Sequence, residues 1–255
     1  MGRVKDTLGD FVPEGIVLQS IGRNTKGRDI AVGDVHGYFT KLQEALDAIG
    51  FDPEVDRLFI VGDLVDRGPE SHLAREWLKK PWVFAVRGNH DGWVIQKGTN
   101  HHFDWVRNGG GWFQKLSDNV KKATIEAFKE LPIAIEVMTK NGLVGIVHAD
   151  IPFATWSRFR EELCDPESEK RFDGLVGYAT WSRHRIIAEN QQTIGGIEAL
   201  VVGHSTVDTV TQLGNVYYID TGGWIPNRGH FTLFDLNTLQ VYKEAEHGQS
   251  ISEPA

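Results

Sequence analysis

Five short apolar runs in this sequence each end in aspartate, asparagine or histidine, where a plain turn would suffice. Three of them lead into Gly-Asp-Val-His-Gly at 33–37, Gly-Asp-Leu-Val-Asp-Arg-Gly at 62–68 and Gly-Asn-His-Asp at 88–91, and the other two lead into His148 and His204. Segments with helical apolar spacing separate the first three runs, which predicts alternating strands and helices with a mostly parallel sheet. The carboxyl ends of parallel strands share one edge, so we expect these polar side chains to converge.

The second half of the chain predicts a second sheet, mixed or antiparallel. Two apolar runs flank Lys140-Asn141-Gly142, which indicates a hairpin. Further short strands are expected at 133–137, 143–147, 199–202, 207–212, 216–219, 231–234 and 239–242. The stretch 151–190 is predicted to be irregular and to overhang a site. Thr-Trp-Ser-Arg occurs at both 155–158 and 180–183, but this is too short to indicate a duplicated unit.

The polar residues at the strand ends have the composition of a metal site. They combine nitrogen and oxygen ligands without sulfur, which suits Mn²⁺, Fe or Zn²⁺ better than Cu(I) or an all-oxygen Ca²⁺ site. Six ligands exceed what a tetrahedral zinc needs, so two ions that share one carboxylate are the natural arrangement. Asp63 follows the middle strand and is the expected bridge. The predicted ligands are Asp34, His36, Asp63, Asn89, His148 and His204.

Each of these motifs alone also has a structural explanation. Gly-Asp-x-His-Gly could be a turn that caps a helix, Gly-Asn-His-Asp could be a simple turn, and a single histidine after an apolar run is more often a core residue than a ligand. Their joint occurrence at five strand ends favours the metal site. The other histidines are assigned to solvent or a helix surface, and the eight tryptophans are assigned to packing, with no role in chemistry.

Composition excludes several other classes of protein. The 255 residues carry 27 basic and 35 acidic side chains, a net charge of −8 that disfavours general nucleic-acid binding. The single cysteine, Cys164, excludes an intrachain disulfide and any cysteine-rich metal cage. No segment has the apolar length of a signal peptide or a membrane helix. We therefore expect a cytoplasmic protein without membrane partners, monomeric, with one domain over 1–255 and a core at about 28–242.

The three glycine-rich motifs resemble those of the phosphoprotein phosphatase family of metallophosphoesterases. Within it, the chain is similar to the bacterial serine/threonine phosphatases that are related to the bacteriophage lambda protein phosphatase. The resemblance runs from about residue 28 to 235 and includes Asn-Gly-Gly-Gly-Trp-Phe at 108–113, Trp-Ser-Arg at 181–183, Gly-His-Ser at 203–205 and Tyr-Ile-Asp-Thr-Gly at 218–222. It implies an α/β fold, a four-layer α/β–β/α sandwich of the calcineurin-like type, with two mixed sheets and the metal site between them.

The resemblance also implies roles for individual residues. It assigns Asp34, His36 and Asp63 to one metal. It assigns Asp63, Asn89, His148 and His204 to the other. It makes His90 and Asp66 an acid dyad, and it makes Arg67 and Arg183 phosphate ligands. Arg158, in an identical tetrapeptide, and Arg185 are alternatives to Arg183. Asp91 departs from the family pattern, in which glutamate is common.

The implied activity is hydrolysis of phosphoserine and phosphothreonine in phosphorylated proteins. The reaction would be direct attack by a hydroxide that bridges two divalent ions, most favourably Mn²⁺, with His90 as general acid to the departing alkoxide. Two alternatives remain. A symmetrical dinucleoside polyphosphate hydrolase has similar motifs, and a catalytically silent metal-binding scaffold would need the ligands but not the acid.

Overall fold

The first sheet carries three of the predicted strand ends. The computed structural model describes residues 15–96 and 102–242 of the chain. Within them the first sheet contains, in spatial order, β11 (Gln240–Val241), β10 (Leu233–Asp235), β2 (Asp29–Val32), β3 (Arg57–Ile60) and β4 (Val83–Ala85). Strands β2, β3 and β4 are parallel, and β10 is antiparallel to both of its neighbours.

The second sheet carries the other two strand ends. Its spatial order is β1 (Leu18–Ile21), β5 (Ala134–Met138), β6 (Leu143–Val147), β7 (Ala199–Val202), β9 (Val216–Tyr218) and β8 (Thr211–Leu213). Strand pairs β1–β5, β6–β7 and β7–β9 are parallel, whereas β5–β6 and β8–β9 are antiparallel hairpin pairs. Both sheets are therefore mixed, as the sequence predicts.

Helices cover the outer face of each sheet. Those of the described residues are α1 (Phe39–Ala48), α2 (Ala74–Leu78), α3 (Asn89–Ile95), α4 (His102–Trp105), α5 (Gly111–Gln114), α6 (Asp118–Lys129), α7 (Trp156–Cys164), α8 (Glu169–Trp181) and α9 (His184–Ile187). Side chains of α1, α2, α3 and α6 pack on the first sheet, and those of α7 and α8 pack on the second. Within the described part of the chain, no helix is both long and apolar enough to cross a bilayer.

The alternation of side chains along β2 shows how the layers form. Successive residues of a strand point to opposite faces. Ile30 and Val32 belong to the apolar cluster under the first set of helices, whereas Ala31 lies in a central cluster. That central cluster also contains Val144 and Val201 from the second sheet, so the two sheets pack face to face. The result is the four-layer α/β–β/α sandwich, which confirms the predicted fold class.

Two predictions about the elements were wrong, and one strand was not predicted. The strands expected at 231–234 and 239–242 belong to the first sheet, where β10 pairs with β2. The unpredicted strand is β1, at the edge of the second sheet, which precedes the region that the resemblance covers. The stretch expected to be irregular, 151–190, contains helices α7, α8 and α9. Two of these helices have serine or threonine caps, Thr155 for α7 and Ser168 for α8.

Phe159 tests the packing of α7 on the second sheet. Its ring is fully buried and lies 5.3 Å from that of Trp156, centroid to centroid. We expect Phe159→Ala to lower the free energy of unfolding by about 3–5 kcal/mol, because the truncation leaves a cavity. The matched control is Ile187→Ala, whose side chain is 77% exposed and whose loss should change stability by less than about 0.5 kcal/mol. Urea unfolding measures both, and equal effects would contradict the packing described.

Candidate metal centre

The structure brings all six predicted ligands to one place between the sheets. Asp34 and His36 follow β2, Asp63 follows β3, and Asn89 opens α3 directly after the loop from β4. From the second sheet, His148 follows β6 and His204 follows β7. All six ligands and the neighbouring His90 are buried: Asp34, His36, Asp63, Asn89, His90, His148 and His204.

Asp63 lies at the centre of this cluster. Its Oδ2 atom is 3.5 Å from His36 Nε2 on one side and 3.5 Å from His148 Nε2 on the other. Two groups of donor atoms, each within 4.8 Å of one another, share this residue: one contains His36 and His90, the other His148 and His204. Asp34 Oδ2 lies 3.9 Å from His36 Nε2. Asp63 therefore belongs to both groups of side chains that could hold a metal ion.

Backbone carbonyls orient the histidine rings. His36 Nδ1 lies 2.7 Å from the carbonyl of Val65, and His148 Nδ1 lies 2.8 Å from that of Val61. Since a carbonyl can only accept, both rings donate through Nδ1 and present Nε2 to the centre. In His204 the order is reversed, because Nε2 donates to the carbonyl of Trp181 at 3.2 Å and Nδ1 is the other ring nitrogen. Such contacts fix the tautomer of histidine ligands in metalloproteins.

The backbone at the site is strained. Eight non-glycine residues in the described ranges have positive φ, and five of them belong to the predicted site: His36 (45°), Asp63 (51°), Asp66 (72°), Arg67 (63°) and His204 (61°). Each such conformation costs about 1–3 kcal/mol, and such residues cluster at functional sites. The strain is therefore concentrated where the strand ends turn toward the shared edge.

Two glycines allow the carboxylates to approach. A Cβ atom built on Gly88 would overlap Asp63 Oδ1, and one built on Gly203 would overlap Asp34 Oδ1. The same two carboxylates are held by backbone donors, Asp63 Oδ1 by the N–H of His90 at 2.9 Å and Asp34 Oδ1 by the N–H of His204 at 3.1 Å. The glycines in these motifs are therefore required by close contact with the ligands.

Electrostatics at the centre favour added positive charge. Burial, and then the neighbouring Asp220, raise the pKa of Asp34 well above its usual value. Burial alone would lower the pKa of His148, but the carboxylates of Asp63 and Asp34 raise it to about 10. His148 Nε2 lies 2.9 Å from Asn89 Oδ1, an atom that can only accept. The proton on His148 Nε2 therefore occupies a position in which a metal cation could bind instead.

Divalent cations fit these residues. The donor set is nitrogen and oxygen, the histidines are oriented from behind, and the glycines leave the space that the carboxylates need. A cation at His36 would compete with Arg67, whose Nη1 donates to His36 Nε2 at 2.8 Å. The residues that could hold metal thus include those that the sequence predicts, and His90 joins the group that contains His36 and Asp63.

Asp91 supports the turn that carries Asp63. Its carboxylate accepts three backbone N–H groups, from Asp63 at 2.8 Å, Leu64 at 3.0 Å and Gly88 at 2.9 Å. Burial, together with the nearby charge of Asp63, raises its pKa to about 7. Asp91 is therefore an anchor for the loops after β3 and β4, a role that the sequence alone did not reveal.

The two residues of the predicted acid dyad are hydrogen-bonded to each other. His90 Nδ1 donates to Asp66 Oδ2 at 2.7 Å, and His90 Nε2 lies 4.0 Å from Asp63 Oδ2. Arg67 donates to His90 Nε2 at 3.2 Å, and its guanidinium stacks 4.1 Å from the centroid of the Trp224 ring. Burial raises the pKa of Asp66. His90, which Asp66 holds through Nδ1, therefore directs its Nε2 atom into the same space as the metal ligands.

The three candidate arginines occupy different places. Arg183 is exposed, lines the cleft beside the centre and donates to the carbonyl of His204 at 3.0 Å. Arg185 is buried and bonds to Asp150 at 3.2 Å. Arg158 pairs with Glu162 on the surface of α7. Only the first of these three contacts the candidate centre.

A cleft of about 910 Å³ opens over the centre. The centre contributes Asp34, Asp63 and His204, and Arg67 and Arg183 lie on its wall. Further along, the ring of Trp93 contacts that of Trp181 at 5.4 Å, and Trp181 is 47% exposed. The cleft is wide enough for a substrate much larger than a phosphate group.

Comparison with known proteins identifies the family. The sequence model of calcineurin-like phosphoesterases matches residues 30–208. The chain is 33% identical over 209 residues to serine/threonine-protein phosphatase 2 of Escherichia coli K12, which covers 80% of this chain and 91% of the relative. It is 35% identical over 196 residues to serine/threonine-protein phosphatase 1 of Salmonella typhimurium, with 75% and 84% covered. The chain therefore belongs to the calcineurin-like phosphoesterase family, and it is a metallophosphoesterase with relatives among bacterial serine/threonine phosphatases.

Other comparisons found a relative with a different named activity and solved structures with the same fold. The chain is 33% identical over 143 residues to a symmetrical bis(5'-nucleosyl)-tetraphosphatase of Dechloromonas aromatica, which covers 51% of this chain and 47% of the relative. A solved structure of a candidate diadenosine tetraphosphatase has a TM-score of 0.62 at 20% identity, covering 89% of this chain and 96% of that chain. A serine/threonine phosphatase from Saccharomyces cerevisiae has a TM-score of 0.57 at 17% identity, with 92% and 86% covered. At these identities the two structures support the fold alone.

Gly88 tests whether the close approach to Asp63 matters for metal binding. We expect Gly88→Ala to weaken Mn²⁺ binding by about 10–100-fold, because the added Cβ displaces the bridging carboxylate. Calorimetric titration of the metal-free protein with Mn²⁺ measures this. The control is Gly174→Ala in α8, where nothing lies within 4 Å of the new Cβ. Unchanged affinity in a folded Gly88→Ala protein would contradict the proposed ligand geometry.

Proposed function

We propose that this protein is a serine/threonine protein phosphatase that uses two divalent cations, most favourably Mn²⁺, with Fe or Zn²⁺ as alternatives. Asp34, His36 and Asp63 would hold one ion. The other would be held by Asp63, Asn89, His148 and His204. The proposed partners are phosphorylated proteins, and neither nucleic acid nor membrane is expected to bind. From its composition, the protein is expected to be cytoplasmic and monomeric.

The observation that carries this proposal is the dyad beside the shared carboxylate. His90 is held through Nδ1 by Asp66 at 2.7 Å, so its Nε2 faces the same space as Asp63. An alkoxide leaves phosphorus poorly and must be protonated as it departs. A donor in this position supplies that proton, which a site for metal storage or structural metal would not require. This counts against a catalytically silent scaffold.

The chain's own residues would bind and orient the phosphate. When bound, the cations would neutralise phosphate charge and activate water for attack at phosphorus. Arg67 and Arg183 lie on the cleft wall, and guanidinium forks can each bind two phosphoryl oxygens. Phosphoryl transfer depends mainly on such positioning and electrostatics. Nε2 of His90 accepts from Arg67 in the structure; once Arg67 binds the phosphate, protonated His90 would give its Nε2 proton to the leaving oxygen.

Hydrolysis of a symmetrical dinucleoside polyphosphate is the second candidate. The tetraphosphatase relative matches half of this chain, whereas the phosphatase relative from E. coli matches 80%. The feature that favours it is the exposed Trp181 in the cleft, since an exposed indole can stack on a base. The longer match supports the protein phosphatase.

Parallel assays of two substrates distinguish these candidates. With Mn²⁺, we expect turnover of a phosphoserine peptide and far slower turnover of diadenosine tetraphosphate. His90→Asn should retain metal and lose about 10²–10⁴-fold in kcat on the peptide, whereas Asp63→Asn should lose metal and activity together. The control is His72→Asn, at an exposed position. Faster turnover of diadenosine tetraphosphate than of the peptide would favour the second candidate function over the proposal. Full activity of His90→Asn would exclude His90 as the general acid.

Two of the three candidate arginines provide a second test. We expect Arg183→Ala to lower kcat/KM by about 10–100-fold, the effect of losing a charged hydrogen bond to phosphate. Arg158→Ala should stay within about twofold of the wild type, because this residue pairs with Glu162 on the surface of α7. Steady-state assays with an aryl phosphate measure both. Equal losses in the two variants would remove Arg183 from the phosphate site.

A further inference from the structure

Two tryptophans hold the carboxylate behind His90. Asp66 is fully buried and accepts three hydrogen bonds. His90 Nδ1 and Trp105 Nε1 donate to Oδ2 at 2.7 and 2.9 Å, and Trp112 Nε1 donates to Oδ1 at 2.7 Å. Trp105 and Trp112, which we call the indole pair, therefore fix both oxygens of this carboxylate.

The indole pair comes from one short segment that packs on the Asp66 loop. Trp105 ends α4, Trp112 lies in α5, and a kinked turn of π-helix, Val106–Gly110, joins them. In that turn Gly109 has a φ of 105°, and a Cβ atom on it would overlap the backbone of Arg67. A Cβ atom on Gly110 would overlap the indole of Trp105. The Asn-Gly-Gly-Gly-Trp-Phe motif thus has a physical purpose, which is to bring both indoles to Asp66.

We propose that Trp105 and Trp112 are positioning residues for the general acid His90. The inference rests on the proposed phosphatase mechanism. Neither residue lines the cleft, so both act through Asp66. Without the indoles, the carboxylate would have only His90 as a side-chain donor and could rotate about its Cβ–Cγ bond. With them, Oδ2 stays directed at Nδ1, and the direction of Nε2 is set by the ring.

The chemistry of the indole group also determines where the proton sits. An indole N–H donates and cannot accept, so the pair favours the ionised form of Asp66. That carboxylate accepts from Nδ1 of His90, so Nε2 is directed at the cleft, where it accepts from Arg67. For His90 to act as the acid, Arg67 would turn to the phosphate and Nε2 would carry the proton that is transferred. As the bond between phosphorus and the leaving oxygen breaks, that oxygen takes the Nε2 proton, and His90 remains neutral with its proton on Nδ1.

Dependence on the leaving group provides the test. Protonation matters for a serine alkoxide and little for p-nitrophenolate, so misplacing the acid should affect the two unequally. With Mn²⁺ bound, we expect Trp112→Phe and Trp105→Phe each to lower kcat on a phosphoserine peptide about 10-fold or more. On p-nitrophenyl phosphate the expected loss is less than about threefold. KM and metal content should stay at wild-type values.

Controls separate positioning from stability. Trp77→Phe is the matched control, since this core tryptophan stacks on Phe39 and lies outside the dyad. In an Asp66→Asn background, the tryptophan changes should add no further leaving-group dependence, because the carboxylate that they act through is gone. If Trp105→Phe fails to fold, Trp112→Phe, which is only partly buried, carries the test alone.

The outcomes are distinguishable. Equal losses on both substrates, no loss on the peptide, or an effect that persists beside Asp66→Asn would each overturn the positioning role. A wild-type enzyme that cleaves aryl phosphates but no phosphoserine peptide would instead overturn the proposed function. In that case a series of aryl phosphates with progressively poorer leaving groups still tests the indole pair.

Discussion

Four buried carboxylates, those of Asp34, Asp63, Asp91 and Asp220, lie close together where the two sheets meet, and the site is arranged around their charge. Burial is the main reason why the pKa values of three of them rise. Burial would also raise the pKa of Asp63, but the surrounding histidines hold it well below its usual value. Buried charges of one sign destabilise a fold unless cations or donors compensate them. Metal binding and stability should therefore be coupled in this protein.

The centre is shared between the sheets, so their packing sets its geometry. The N–H of His204, after β7, bonds to Asp34 after β2, and His148 Nδ1, after β6, bonds to the carbonyl of Val61 after β3. The N–H of Gly203 bonds to the carbonyl of His148 within the second sheet. The first two of these bonds cross the interface between the sheets at the site itself. A change in the central apolar cluster would therefore move ligands of one sheet relative to those of the other.

Local patterns were sufficient to predict the strand ends, since buried Val and Ile runs followed by glycine and a polar residue can be recognised within ten residues. Contacts between distant segments were not predictable in this way. The sequence of the short strand β10 is compatible with either sheet, and only its pairing with β2 places it in the first one. Strand β1 contains Gln19 and Ser20 and has no clear apolar period. The sequence predicts only packing for the indoles of Trp105 and Trp112, because nothing in it reveals that both donate to one carboxylate.

The repeated tetrapeptide Thr-Trp-Ser-Arg makes the same point at the site. At 155–158 it begins α7, where Thr155 accepts the N–H of Arg158 as a helix cap and the arginine pairs on the surface. At 180–183 it ends α8, where Trp181 is exposed to the cleft and Arg183 reaches the carbonyl of His204. The same four residues are structural at the start of one helix and candidates for substrate binding at the end of the next. The position of the segment in the fold, rather than its composition, decides which role it can take.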